Sequence, residues 1–160
     1  IITSVVFRLR KLFTYKEKYI DLTKELKGNK YPTMKEVREA IIKIRQRKLP
    51  DYNLLPNAGS FFKNPFLTYE QKEDLLQILP NATIHNVNEN CFKTSSAFLI
   101  DKAGYKNKRN GLVGTYEHHS LIIVNYGTEE GKDIVDFVEQ IQQNVHSQFN
   151  IWLEPEVRVY

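Results

Sequence analysis

The segment NAGSFFKNP, residues 57–65, places a small-residue turn, a single hydroxyl, two aromatic residues and an Asn-Pro stop within nine positions. Gly59 permits a tight backbone and the close approach of a flat ligand, and Ser60 supplies the only hydroxyl of the segment. Asn, Gly and Ser are ordinary turn residues, so the local chemistry alone favours a turn that leads into a strand. The segment lacks the G-x-S-x-G pattern of the hydrolase nucleophile elbow, which disfavours a serine nucleophile.

Helices are predicted on both sides of this segment from capping signals and apolar spacing. Thr33 followed by Glu36 forms a capping box, and Thr68 followed by Gln71 repeats it. A third helix is expected over residues 93–103, because apolar residues recur there at helical spacing before a glycine. The apolar residues at helical spacing in these three segments are Val37, Ala40, Ile41, Ile44, Leu75, Leu76, Leu79, Ala97, Leu99, Ile100 and Ala103.

Strands are predicted near the start, the middle and the end of the chain. Val5, Phe7 and Leu9 alternate with Val6, Arg8 and Arg10, which is the pattern of a strand with one face in the core. Residues 121–124 form an apolar run typical of a buried strand, and residues 151–159 alternate again. Residues 14–32 read as a surface loop with a short ordered piece, and Thr128 is expected to cap a long final helix. Strands separated by helices predict an α+β domain, in which a small sheet packs with helices.

Composition sets broad limits on the class of protein. The chain has 160 residues, 41% of them hydrophobic, which is enough for one packed domain. The formal net charge of +4 is compatible with an anionic ligand or a nucleic acid and decides little. A single cysteine, Cys91, excludes an internal disulfide and indicates a reducing compartment, so we expect a cytoplasmic protein. No apolar run approaches the length of a membrane span.

Three stretches together resemble one protein family. KLPDYNLLPNAGSFFKNP, residues 48–65, resembles the signature of the UDP-N-acetylenolpyruvoylglucosamine reductases, the MurB flavoenzymes of bacterial peptidoglycan synthesis. NIWLEPEVRVY, residues 150–160, resembles the family's closing catalytic strand, and residues 99–125 resemble the segments between. The resemblance covers nearly the whole chain in the family's order. The tyrosine-bearing loop near residue 19 is similar to that of the family's first type.

The resemblance implies roles for two residues in reduction of an enolpyruvyl double bond. Ser60 matches the serine that supplies a proton to the enolic carbon, so the hydroxyl would act as a general acid rather than a nucleophile. Glu156 matches the second glutamate of the L-E-P-E motif, which would assist the enolic intermediate from a dry site beside Glu154. A purely structural interpretation is also open: Glu154 and Glu156 would be solvated carboxylates on an exposed edge strand. Pro155 would then prevent a further strand from pairing with that edge.

The resemblance also implies substrate-binding residues. Lys48 and Asn64 match positions that hold the substrate, and their chemistry suits an anionic, amide-rich UDP-sugar. Tyr19 matches the loop tyrosine that closes over the substrate, with Tyr15 close by in a loosely aligned loop. His119 matches a substrate-site position that tolerates His or Gln. Without the resemblance, each of these residues would be read as an ordinary surface or strand-end residue.

The family's cofactors are FAD and NADPH, and its FAD-binding domain has no counterpart in these 160 residues. Gly59 and Ser60 would face the flavin. We therefore expect that the chain is the C-terminal, substrate-binding portion of a longer enzyme, without bound flavin or turnover of its own. Residues 1–32 would be the end of the flavin-adjacent region and the tyrosine loop, and residues 33–160 the substrate-binding domain.

Two other functions remain open at the level of residues. The basic segment KNKRN, residues 106–110, with the net charge and the many tyrosines, is compatible with a free-standing α+β module that binds RNA or another polyanion. A purely structural interaction domain would leave the GSFFKNP and LEPE strings unexplained. His118 and His119 are poor candidates for a metal site, because adjacent residues on a strand point to opposite faces. We expect no metal, no nucleic acid and no membrane among the partners.

Overall fold

The computed structural model of this protein describes residues 2–15 and 19–159. These residues fall into two units, Ile1–Lys48 and Leu49–Tyr160. The predicted division into residues 1–32 and 33–160 concerns function rather than packing, and it stays a prediction. No helix in the described ranges has both the length and the apolar character that crossing a bilayer requires.

The first unit contains two helices, α1 (Ile20–Glu25) and α2 (Met34–Lys48). The predicted capping box starts α2: the Thr33 backbone N–H donates to the Glu36 carboxylate at 2.7 Å, and the Glu36 backbone N–H donates to the Thr33 hydroxyl at 3.2 Å. The apolar stripe of α2 buries Ala40 and Ile44 against Leu22 of α1. The expected short ordered piece within residues 14–32 is α1, so this prediction is confirmed.

The strand predicted at residues 5–9 is wrong. Residues 2–10 have no regular secondary structure, and Val5, Phe7 and Leu9 are 63%, 76% and 82% exposed. A strand is stable only when its backbone bonds to a neighbouring strand, and no described strand pairs with this segment. Alternation in the sequence was therefore not sufficient to form a strand here.

The second unit contains two antiparallel sheets. The four-stranded sheet has the strand order β1-β7-β6-β5, and the three-stranded sheet has the order β2-β4-β3. The predicted run at residues 121–124 is the centre of β7, whose residues Ser120 to Val124 are buried. The strands are β1 (Asn57–Ser60), β2 (Phe66–Leu67), β3 (Ile84–Asn88), β4 (Cys91–Thr94), β5 (Arg109–Asn110), β6 (Val113–Tyr116) and β7 (His119–Asn125).

Three α-helices pack with these sheets: α3 (Tyr69–Ile78), α4 (Ser96–Ile100) and α5 (Gly131–Phe149). A π-helical turn, Asp101–Tyr105, directly follows α4. The capping box of Thr68 and Gln71 is present at α3, as predicted. The helix predicted over 93–103 begins three residues late, because Lys93 and Thr94 pair with β3 and Ser95 caps α4 instead. Thr128 does not cap α5: its hydroxyl accepts from the Glu130 backbone N–H at 3.1 Å, ahead of the first turn.

One apolar core joins the sheets and helices of the second unit. Strands that alternate polar and apolar residues contribute one face to it, and α5 contributes a stripe at helical spacing. The α+β fold predicted from the sequence is thus confirmed. The core residues with at most 2% exposure include Phe62, Leu67, Leu75, Leu99, Ile100, Val113, Phe137, Ile141, Val145, Ile151 and Leu153.

Candidate functional site

A bulge in β1 sets the conformation of Gly59 and Ser60. The register against β7 shifts between the pairs Asn57 with Val124 and Ser60 with Ile122, so the backbone bends within β1. Gly59 lies in the bend at φ 76°, a left-handed conformation that glycine adopts without strain. The Asn57 side-chain oxygen accepts from the Gly59 N–H at 3.0 Å and fixes the bend. The predicted turn leading into a strand is thus a bulge inside one.

The C-terminal segment brings Glu156 to the same place. Phe62 forms an isolated antiparallel bridge with Pro155. On one side of this bridge the Lys63 N–H donates to the Glu154 carbonyl at 2.9 Å, and on the other the Glu156 N–H donates to the Phe61 carbonyl at 2.8 Å. The alternation predicted for residues 151–159 is present in the burial of residues 151–158, but Val159 is exposed. Among the described residues the segment makes only this isolated bridge and is not a full strand.

Ser60 and Glu156 together line a surface hollow of about 360 Å³. Its chemistry is one hydroxyl, one carboxylate, one amide and two ammonium groups over an apolar floor, which suits a polar ligand with negative charge. Glu156 is exposed in this chain, so the expected dry environment is not met by these residues alone. The lining residues are Ser60, Phe62, Lys63, Asn64, Phe66, Lys93, Leu121 and Glu156.

The two lysines that line this hollow were not identified as site residues from the sequence. Lys63 forms an ion pair with Glu154. The negative charge of Glu154 therefore has a counter-ion, which weakens its repulsion of the Glu156 carboxylate. Lys93 lies on β4 with its ammonium 5.0 Å from the centroid of the Phe66 ring. Lys63 stands inside the GSFFKNP segment and could have been noticed, whereas Lys93 required knowledge of the β3-β4 hairpin.

Asn64 has a structural bond in addition to its predicted role. Its side-chain oxygen accepts from the Ser96 N–H at 3.0 Å, and the Ser96 hydroxyl donates to the Lys63 carbonyl at 2.5 Å. These bonds tie the end of the GSFFKNP segment to the first turn of α4. The two N–H donors of the Asn64 amide are the groups that this bond does not use.

The first unit brings together two other predicted residues, Tyr19 and Lys48. The Lys48 ammonium forms an ion pair with Asp21 and lies 5.9 Å from the centroid of the Tyr19 ring. The hydrogen bond from Lys48 lowers the pKa of Asp21, and the Tyr19 hydroxyl adds to this effect. The same hydrogen bond raises the pKa of Lys48, against the effect of burial. Asp21 was not singled out from the sequence.

His119 is not among the residues that line the hollow. It begins β7, is half-buried, and its Nδ1 is buried without a hydrogen-bond partner in the part of the chain that the structure describes. His118 contacts Tyr116 edge-on and lies 3.4 Å from the Glu117 carboxylate, so the two histidines have different neighbours. Within residues 2–15 and 19–159, no three His, Cys, Asp or Glu side chains are grouped as metal ligands.

Comparison with known proteins identifies the family. The model of the "UDP-N-acetylenolpyruvoylglucosamine reductase, C-terminal domain" matches residues 50–160. Proteins named UDP-N-acetylenolpyruvoylglucosamine reductase are similar over nearly the whole chain: that of Flavobacterium johnsoniae is 40% identical over 162 residues, that of Polynucleobacter asymbioticus 39% over 159, and that of Bdellovibrio bacteriovorus 39% over 157.

These alignments cover 98 to 99% of this chain and 46 to 48% of each relative. The chain thus spans about half the length of the curated relatives it matches. A match of this extent favours a reductase domain over a free-standing module that binds RNA or another polyanion. The resemblance of the GSFFKNP and LEPE strings is therefore confirmed, and the chain belongs to the UDP-N-acetylenolpyruvoylglucosamine reductase family, whose C-terminal domain it matches over residues 50–160.

Proposed function

We propose that this chain is the substrate-binding, C-terminal part of an enzyme that reduces UDP-N-acetylglucosamine enolpyruvate to UDP-N-acetylmuramate with NADPH and FAD. The observation that carries this proposal is the shared hollow of Ser60 and Glu156. A proton donor and a carboxylate that meet on one surface, beside lysines, suit protonation of a carbon next to an anionic group. The protein would act in the cytoplasm.

The proposal assigns roles to Ser60, Asn64 and Glu156 of the hollow and to His119 of β7. The Ser60 hydroxyl would donate the proton to the enolic carbon, and Glu156 would assist formation of the enolic intermediate at the substrate carboxylate. Because a hydroxyl is a weak acid, Ser60 depends on position and on a local proton network. Asn64 would bind the substrate through its amide N–H groups, and His119 through its ring.

Two residues of the first unit would bind the same substrate. Lys48 supplies a positive charge for its diphosphate, and Tyr19 supplies a ring and a hydroxyl. The ammonium group of Lys48 is a compact charge with three donors, which suits phosphate oxygens. The proximity of Tyr19 and Lys48 supports their assignment to one ligand.

The residues beside Ser60 fit a flat cofactor. Apart from its two chain neighbours, no described atom lies within 4 Å of a Cβ added at Gly59, so the backbone at the bulge is open to a planar ring. FAD, when bound, would supply the hydride that it receives from NADPH. A domain preceding this chain would hold FAD, and Gly59 and Ser60 would contribute the surface that faces its ring.

The test is an assay of the full-length protein that contains this chain. We expect a yellow flavoprotein that oxidises NADPH rapidly only when UDP-N-acetylglucosamine enolpyruvate is present, and a Glu156→Gln variant that retains flavin but has lost most of this activity. The general acid-base contribution corresponds to about a hundredfold or more in rate. A protein without flavin, or one indifferent to the UDP-sugar, would refute the proposal.

A further inference from the structure

An acidic residue, Asp21, contacts one of the two predicted substrate residues of the first unit. The Asp21 carboxylate is paired with the Lys48 ammonium, and the Tyr19 ring lies beside that ammonium. The paired side chains are 40% exposed for Lys48 and 32% for Asp21, so the ion pair is partly shielded from solvent. This shielding distinguishes it from the fully solvated pairs whose contribution is usually negligible.

Helix α1 depends on tertiary contacts for its position. It has six residues, which is far too short for a helix that is stable by itself. Its contacts with α2 include burial of Leu22, an ion pair of Glu25 with Arg47 at 3.3 Å, and the ion pair of Asp21 with Lys48. Tyr19 directly precedes α1, so the Asp21 pair is the side-chain contact nearest to it along the chain.

We propose that Asp21 is a positioning residue, which holds the Lys48 ammonium and the Tyr19 ring as one preformed clamp for the anionic part of the substrate. The inference rests on the function proposed above. A free lysine side chain has many rotamers, and fixing it before the ligand arrives removes part of the entropic cost of binding. The same contact fixes the start of α1 and thereby the backbone of Tyr19.

A carboxylate near a phosphate site also repels the ligand, and the balance decides the sign of the effect. The ammonium of Lys48 has three donors, so its pairing with Asp21 leaves donors for phosphate oxygens. Solvent reaches both partners and screens the repulsion between the Asp21 carboxylate and a phosphate. Screening does not remove the benefit of a Lys48 side chain that is already oriented. We therefore expect that removal of Asp21 weakens substrate binding.

The experiment measures KM for UDP-N-acetylglucosamine enolpyruvate in the full-length reductase. Asp21→Ala is expected to raise this KM about threefold, with kcat and the KM for NADPH unchanged, because the pair is only partly shielded from solvent. Asp21→Asn keeps an oxygen that accepts from Lys48 and should stay closer to the wild type. Glu25→Ala is the matched control, because it breaks the other ion pair between α1 and α2.

A double variant tests whether Asp21 acts through Lys48. In a Lys48→Ala background, Asp21→Ala should have little further effect on KM, because the group that it positions is gone. The inference is overturned if Asp21→Ala lowers KM, if Glu25→Ala raises KM as much, or if the effects of Asp21→Ala and Lys48→Ala simply add. A wild-type protein that does not turn over the UDP-sugar overturns the proposed function as well. An active wild type with one of the three results above overturns only the role of Asp21.

Discussion

The two units of this chain hold their candidate functional residues in different ways. In the second unit, Ser60 and Glu156 stand on segments joined by backbone hydrogen bonds, and the described core of that unit has nineteen buried residues. In the first unit, Tyr19 and Lys48 are held by an ion pair and by a described core of three buried residues, Leu22, Ala40 and Ile44.

This difference corresponds to what each pair would do. Proton transfer requires heavy atoms placed within a fraction of an ångström, which a large core and backbone bonds can enforce. Binding of a flexible, charged substrate tolerates larger movements of the binding side chains. Two helices with a small core, such as α1 and α2, allow such movements. The comparison predicts that the second unit is the more stable one and that the two pairs affect different kinetic constants.

The largest expected effect separates the two cores. Leu153 is fully buried, and Leu153→Ala should reduce the free energy of unfolding by about 2 to 5 kcal/mol. Leu22→Ala makes the same change in the first unit, where fewer neighbours surround it, and should cost less than about 2 kcal/mol. Urea unfolding followed by the fluorescence of Trp152 reports on the second unit. Equal shifts of its midpoint by both variants would remove the distinction between the units.

A smaller effect is expected at the bulge beside Ser60. Gly59→Ala forces a left-handed conformation on alanine, at about 1 to 2 kcal/mol, while the added Cβ clashes with no described residue. Gly111 has φ 59° in the turn before β6 and an equally open surface, so Gly111→Ala is the matched control. Both should lower the melting temperature similarly, but only Gly59→Ala should weaken flavin binding in the full-length protein. Equal flavin affinity would contradict a flavin-facing Gly59.

The smallest expected effect is the loss of stability of the first unit at low pH. The pKa of Asp21 is lowered by its hydrogen bond with Lys48, and the pKa of Glu36 by hydrogen bonds from Thr33. Folding thus disfavours protonation of both groups, so they stabilise the first unit at neutral pH and lose this contribution as pH falls below about 4. NMR shifts of α1 and α2 amides should therefore change before the fluorescence of Trp152 during acidification. The reverse order would contradict the comparison.

Local signals in the sequence predicted the local features of the fold. The capping boxes at Thr33 and Thr68 involve residues three positions apart, and both were identified. The helix expected from residue 93 began later, because strand pairing of Lys93 with His85 and Phe66 overrides local helical spacing. Such pairing depends on tertiary contacts that a single sequence does not display.

The site shows the same limit. Ser60, Asn64 and Glu156 were found through a family resemblance, and the structure brings them to one hollow. The ion pairs that support the candidate residues join positions 27 and 91 residues apart, so no local pattern indicates them. Exposure of Glu156 also differs from the expected dry site, because burial depends on everything that covers a residue.

The central claim is that the second unit carries the proton donor and the first unit carries part of the substrate-binding surface. Stopped-flow absorbance of the flavin in the full-length protein separates the two half-reactions. We expect that Ser60→Ala leaves flavin reduction by NADPH unchanged and slows reoxidation by saturating UDP-N-acetylglucosamine enolpyruvate at least about a hundredfold. Lys48→Ala should instead shift the substrate concentration required, with a near-normal maximal rate. Unimpaired reoxidation in Ser60→Ala, or equal loss in both half-reactions, would contradict the account.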